Sequence, residues 1–458
     1  MLLNKTLMFE IKKVRVWLVV ISICLLPKLS QAIQIGENIE VHGFAALAYV
    51  NSNHNPFYGD TQDGSFDFQE AALNGFWEIN DSWRLSGQVL YHNTGNIAQD
   101  NTNIDFLMLD FKFMEQEFNT MGIRIGRVKV PYGLYNSSRD VPHGRPAIFV
   151  PRSIYFESFR DAIISVDGGA WYGNNYSDWG SLDYQFFAGH SKMENNSMEH
   201  YLFSKNIMGK FEETDLKGFQ FMYVPEMMSN IKLGYSLLNV KTGLKNGSKS
   251  TAAGLATDFA TQYLFENAIN PISPSMEELG MAQLYAQEQL NNELKNNFVH
   301  HLQDVKLNAY MHVLSLQYFW ENFTFTGEYL RIHSDLEINI ADIGGNTSHV
   351  TSEAFYTQVE WQALDKLVLL ARYEEFYNNT NDRNGSKTFD AGFSVTPLTN
   401  YAKGYTLGAR WYFNTDTSLT FEYSSNRGVS WLPKDDDINA VELEEKWDYF
   451  ALQLSYHF

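Results

Sequence analysis

The chain has 458 residues with 54 acidic and 34 basic side chains, a formal net charge of −20 and a mean hydropathy of −0.30. This charge argues against nucleic acid as a partner, and no stretch beyond the N-terminus reaches the ~18 consecutive apolar residues of a membrane-spanning helix. Aromatic residues are nonetheless 15% of the chain and glycines number 31, which fits membrane-crossing strands, because these place an apolar side chain at every second position only.

In chain order, Lys12, Lys13 and Arg15 come first, before an apolar run from Val16 to Leu26 that is broken only by Ser22 and Cys24. Ser30-Gln31-Ala32 then sets small residues at −3 and −1 of a cut after Ala32, the pattern of an export signal over residues 1–32. Cys24 is the only cysteine, so the mature chain would carry none, as suits an oxidising compartment. Five bases and one acid leave with the signal, taking the net charge to about −24.

Residues 33–458 read as one barrel domain. Period-two segments predict strands over 38–50, 65–79, 82–93, 102–114, 119–130, 161–173, 179–190, 216–225, 230–241, 304–320, 323–333, 352–363, 366–377, 404–414, 417–427 and 446–458. The gaps between them alternate. Asn80-Asp81, Glu321-Asn322 and Asn414 to Asp416 are tight polar turns, whereas 51–64, 131–160, 191–215, 242–303, 334–351, 378–403 and 428–445 are long. The expected fold class is therefore all-β: a transmembrane antiparallel β-barrel of about sixteen strands, with short periplasmic turns and long external loops, in the bacterial outer membrane. Trp83, Trp179, Trp320, Trp361, Trp411 and Phe458 fall at the periplasmic strand ends, where an interfacial girdle is expected. The last strand alternates Phe450, Leu452, Leu454, Tyr456 and Phe458 with polar or small residues. It resembles the C-terminal signal of outer-membrane barrels. Ser275 with Glu278 forms a capping box that opens a helix to about Asn297 inside the long 242–303 loop.

Chemistry concentrates between Arg124 and Arg160. Seven bases stand there (Arg124, Arg127, Lys129, Arg139, Arg145, Arg152, Arg160) against Asp140 and Glu157, a local inversion of the chain's sign. Pro131, Pro142, Pro146 and Pro151 stiffen the segment. A basic cluster at a narrow point lowers the barrier for anions, and arginine offers a planar fork matched to carboxylate or phosphate oxygens. Arg127, Lys129, Arg139, Arg145 and Arg152 are the expected pore-lining residues. Arg84, Arg372 and Arg410 are wall candidates from their strand parity. Glu328, Glu360 and Glu422 share those inward faces, so a transverse field between a basic wall and an acidic loop is also open.

The run Gly126-Arg127-Val128-Lys129-Val130-Pro131-Tyr132-Gly133-Leu134-Tyr135, followed by Arg139-Asp140 and Arg145-Pro146, resembles the strand-five-to-loop-three region of trimeric Gram-negative porins, and within them the phosphate-selective and dicarboxylate-type anion porins. The resemblance covers Gly122 to Ser158. It implies a passive channel for small hydrophilic, preferentially anionic solutes, a homotrimer, and a setting among outer-membrane lipid and lipopolysaccharide. An outer-membrane lipase or protease barrel and a surface-adhesion or receptor barrel are the alternatives. No cofactor or metal is expected: no His or Cys spacing suggests a zinc site, and no Gly-rich phosphate loop follows a strand and opens a helix. The acidic run from Lys434 to Glu445 reads as a solvated external loop.

Overall fold

The computed structural model describes residues 32–458 apart from 96–97, 193–201, 203–206, 212, 268, 270, 343–344, 391–395 and 433–442. The segment 1–32 expected to be an export signal lies outside the described residues save its last position, as does most of the acidic run after Lys434. A three-residue strand, β1 (Ile33–Ile35), pairs with the start of the first long strand. The sixteen long strands are β2 (Ile39–Ser52), β3 (Ser65–Asn80), β4 (Trp83–Thr94), β5 (Ala98–Gln116), β6 (Asn119–Lys129), β7 (Ser165–Ser177), β8 (Gly180–Lys192), β9 (Glu213–Pro225), β10 (Ile231–Gly243), β11 (Leu302–Trp320), β12 (Phe323–Ile340), β13 (Gly345–Leu364), β14 (Leu367–Tyr377), β15 (Tyr401–Tyr412), β16 (Thr417–Gly428) and β17 (Lys446–His457). Each pairs antiparallel with the next, and β17 pairs with β2 to close the ring. At the seam Phe458 exchanges both backbone hydrogen bonds with Gly43, at 2.9 and 3.1 Å.

Alternation places one face in lipid and the other in the lumen. In β16, Ser418, Thr420, Glu422, Ser424 and Asn426 are buried inward while Phe421 and Tyr423 stay exposed. Outward Leu73, Ile125, Leu314 and Leu407 are each more than half exposed. Such an apolar belt is unfavourable in water and is what a bilayer solvates. Trp179, Trp320, Trp361 and Trp411 lie exposed at the periplasmic strand ends, and Phe323 stacks on both Trp320 and Trp361.

The structure departs from the expected boundaries in three places. β12 and β13 run on through most of the 334–351 gap and pair as far as Asn339 with Gly345. There the outward residues are Asp335, Glu337 and His349, so apolar alternation stops while strand pairing continues. The sixth expected segment, β7, begins at Ser165 rather than 161, because Arg160–Ile163 form a helical turn, α1. The long loop holds two helices, α2 (Ala252–Glu266) and α3 (Met276–Asn296). In α3 both capping-box bonds form, and the Ser275 backbone N–H holds the Glu278 carboxyl below its usual range. α2 has no capping box to announce it, since Gly254 stands three residues after the Thr251 cap. It packs on α3 through Leu264, Ala282 and Ala286, with Tyr263 on Tyr285 at 5.1 Å.

Candidate functional site: a loop tied across the lumen

Residues 131–160 leave the end of β6 and turn into the barrel. Gly133 sits at φ +58°, and a Cβ there would lie 2.3 Å from the Tyr155 hydroxyl, so only glycine makes this bend beside Tyr155. The loop touches wall strands on opposite sides of the lumen. Arg145 reaches Glu70 on β3, and the Leu134 N–H reaches Glu328 on β12. Those strands are seven steps apart by the shorter way round the sixteen. Most of the loop is buried, including Tyr132, Asn136, Ile148, Ser153, Ile154 and Tyr155, each at 2% exposure or less. Phe57 and Tyr58, from the loop after β2, pack on Phe149 of the loop, and Phe57 stacks on Tyr449 of the wall.

On the β3–β6 side the loop is held by ions. Arg145 grips Glu70 with two parallel bonds, at 2.9 and 2.6 Å. Lys129 bonds Asp105 at 2.6 Å and also bonds Asp140, which in turn bonds Arg160. Arg139 bonds Glu157 at 2.5 Å. Arg139, Asp140, Arg145, Glu157 and Arg160, with Glu70 and His92 of the wall, line a cavity of ≈ 40 Å³, room for a few waters and not for a hydrated solute. Burial alone would push the loop carboxyls Asp140 and Glu157 up, but Arg160 with Lys129 for the first, and Arg139 with Arg160 for the second, hold both below their usual values. Their folded values lie below the unfolded ones, so their stabilisation is fully present above the unfolded carboxylate range, about pH 4, and drains away as pH falls further. Limited proteolysis of the reconstituted protein is therefore expected to cut within 131–160 faster at pH 3 than at pH 6. Equal rates would mean that these charges do not hold the loop.

On the β12–β16 side the holding is different in kind. Three wall glutamates accept backbone N–H groups of the loop. Glu328 takes Leu134 at 2.9 Å, Glu374 takes Ser153 at 3.0 Å, and Glu422 takes Phe149 at 3.1 Å. Glu328 also accepts the hydroxyls of Ser315, Tyr155 and Tyr356 at 2.6, 2.6 and 2.9 Å. Arg152 joins Glu374 at 3.1 Å, and its guanidinium lies over the rings of Trp431 and Tyr449.

The structure thus places the expected site residues in three groups. Lys129, Arg139, Arg145 and Arg152 do belong to the loop region inside the barrel, but each is bonded to a carboxylate. Arg145 and Arg152 are offset by Glu70 and Glu374 on distant strands, and Lys129 and Arg139 by Asp105, Asp140 and Glu157 nearby, so the transverse arrangement is a basic loop against acidic wall residues, the reverse of the one expected. Arg372 and Arg410 sit on the lumen face against the loop. Arg372 bonds Gln358 Oε1 at 2.8 Å and the Phe149 carbonyl at 3.1 Å. Arg410 bonds Thr420 at 3.0 Å and the Pro142 carbonyl at 3.4 Å. Arg84 is inward too, but lies at the periplasmic end, paired with Glu78 and over the Phe76 ring. Arg127 is a correction. It shares strand parity with exposed Ile123 and Ile125, and lies across from exposed Leu107 and Asp167, so it faces outward. The segment's charge density hid that parity. The acids Glu70, Asp105 and Glu374 were missed: inward parity was a usable signal for Glu70 and Glu374, whereas Asp105 shares the parity of exposed Leu107 and turns inward only through a β-bulge at its position.

No family model matches the chain, and no curated protein does. Solved structures do. Outer-membrane OmpT of Vibrio cholerae aligns at 11% identity and TM-score 0.50, covering 93% of this chain and all of that one. An anion-selective porin from Comamonas acidovorans aligns at 12% and TM-score 0.49, over 92% and 99%. The DcaP outer membrane channel of Acinetobacter baumannii aligns at 9% and TM-score 0.47, over 94% and 100%. At such identities the likeness to the first speaks for the fold, which the strand count, ring closure and outward apolar belt establish independently. The chain is a closed sixteen-stranded antiparallel β-barrel of the bacterial outer membrane, with the fold of that Vibrio cholerae protein.

Proposed function

We propose that this chain is a passive diffusion channel for small hydrophilic solutes, with a preference for small anions of the phosphate or carboxylate class. The carrying observation is the pair Arg372 and Arg410. Both are on the lumen wall beside the loop, and the bonds described above go to neutral oxygens, whereas the loop cations are offset by carboxylates. Lumen guanidiniums without a bonded carboxylate favour anions over cations in a low-dielectric passage. Glu360, held by Gln358 at 2.8 Å on the same face, moderates that preference. A homotrimer is what the resemblance of residues 122–158 to trimeric porins implies, and the apolar belt supports a setting among outer-membrane lipid and lipopolysaccharide.

The test is the zero-current potential of the refolded protein in a planar bilayer under a KCl gradient. The expected sign is that of an anion-selective channel. The potential should move toward zero in R372Q/R410Q and stay unchanged in the outward-facing R127Q. A cation-selective sign would overturn the anion preference, and a folded barrel that is silent under every condition would overturn the channel reading.

A further inference from the structure

Outside the lumen, one cluster of side chains is ordered in a way that a diffusion channel does not use. It lies at the base of the external helical hairpin. Ser248 and Ser250 precede α2, Glu293 is in the last turn of α3, and His301 stands directly before β11. The Ser250 Oγ is 2.9 Å from His301 Nδ1, and His301 Nε2 is 3.0 Å from Glu293 Oε1. The Ser248 Oγ lies 2.6 Å from the Ser250 Oγ. The backbone beneath is fixed. The Ser248 N–H donates to the Leu302 carbonyl at 2.6 Å, and Gln303 Nε2 donates to the Ser250 carbonyl at 2.8 Å. A Cβ on Gly247 would lie 2.4 Å from the Gln303 carbonyl oxygen, so the chain here lies flat against the start of β11.

The proton order follows from the acid. The Glu293 carboxylate only accepts, and hydrogen bonds from Asn297 and His301 hold it below its usual range. The proton of a neutral His301 ring therefore sits on Nε2, and the Nδ1 lone pair faces the Ser250 hydroxyl. Ser250 donates to His301 and accepts from Ser248. His301 is 8% exposed, whereas Ser250 is only half-buried, so solvent reaches the hydroxyl at the head of the relay.

We propose that Ser250, His301 and Glu293 form a second site on the external side of this barrel, a serine esterase acting on carboxylic esters presented from outside the cell. The Ser250 Oγ attacks the acyl carbon while His301 Nδ1 takes the hydroxyl proton. The acyl C–O bond then breaks, the alcohol leaves with that proton, and the acyl group stays on Ser250 as an ester. Water attacks this ester and passes one proton to Nδ1. Ser250 departs with that proton, and the carboxylic acid is released. Glu293 is the positioning residue: it fixes the ring tautomer and offsets the imidazolium charge. The 15-residue α2 begins just beyond Ser250. Among the described residues the Thr251 and Ala253 N–H groups have no acceptor, so the positive end of this helix is the support for the oxyanion. The class is ester rather than amide because a site open to solvent supports an oxyanion less than a dry cleft does, and an ester needs less support.

The test uses the refolded full barrel, a fluorophosphonate probe with the labelled residue located by peptide mass, and p-nitrophenyl butyrate as the ester. The native chain should carry the phosphonyl group on Ser250 and release p-nitrophenol over many turnovers. S250A should abolish both, and H301A should slow labelling by about 100-fold. E293Q keeps an acceptor for His301 Nε2, so a purely structural tie would survive it. It lacks the charge, however, and labelling should fall by at least about tenfold. E293Q also carries the test if H301A fails to fold. No label on Ser250, labelling as fast in these variants as in the native chain, or p-nitrophenol release that stops at one per chain would each overturn the proposal. None of these readouts depends on conductance, so the channel reading stands or falls separately.

Discussion

Alanine at position 145 is expected to cost the folded barrel about 3–5 kcal/mol, because it removes one partner of a buried ion pair and strands the other. Arg145 and Glu70 are 8% exposed each, and both guanidinium–carboxylate bonds lie within the barrel. Once the guanidinium is gone, the Glu70 carboxyl must stay charged without its fork or take up a proton. The same reasoning sets the double variant R145M/E70M close to the native protein, since well-packed apolar replacements of a buried pair are often neutral. Urea unfolding in lipid vesicles, followed by the tryptophan signal, measures both. A cost of less than about 1 kcal/mol for R145A would place the pair with solvent-screened bridges.

Valine at Gly168 is expected to prevent closure of the barrel, at a cost above ~3 kcal/mol. Gly126, Gly168 and Gly189 are register partners across β6, β7 and β8. A Cβ on Gly168 would lie 2.2 Å from the Ala188 carbonyl oxygen and 2.6 Å from the Gly189 Cα. Both are backbone atoms, so no rotamer change relieves the clash, and β8 must separate from β7 where the loop region begins. Glycine kinks of this kind let a sheet bend tightly. The measurement is the fraction of heat-modifiable, protease-resistant barrel after refolding. A normal yield for G168V would show that β8 can shift outward at little cost. Gly126 should behave similarly: it sits at φ +122° with the Leu107 carbonyl oxygen 2.4 Å from its ideal Cβ position.

The barrel was legible in the residues because the signals that specify it are local. Apolar alternation over ten or so residues identifies a strand, and a two- or three-residue polar turn fixes its neighbour. The segments 417–427 and 366–377 therefore match β16 and β14 almost residue for residue. The signal failed where the environment changed. Above the membrane, β12 and β13 have water on their outer face, so His333, Asp335 and Glu337 took the place of apolar residues and the strand read as a gap. In the loop region the error was of another kind. Charges were counted along the chain, but arginines find carboxylates through space. Glu70 is 75 residues from Arg145, Glu374 is 222 from Arg152, and Glu422 is 273 from Phe149. No sequence window holds both partners of any of these contacts.

What this chain's order of residues decides without further help is the ring: how many strands, which face meets lipid, and where the long loop leaves β6. Each of these follows from side-chain period and turn chemistry over a few residues. What only closure of the ring decides is the electrostatics and the opening of the lumen. Joining β17 to β2 makes an interior, and Glu70, Glu328, Glu374 and Glu422 become its wall. Arginines that read as a free cationic gateway are thereby bonded to acids, because burying an unpaired charge costs far more than burying a paired one.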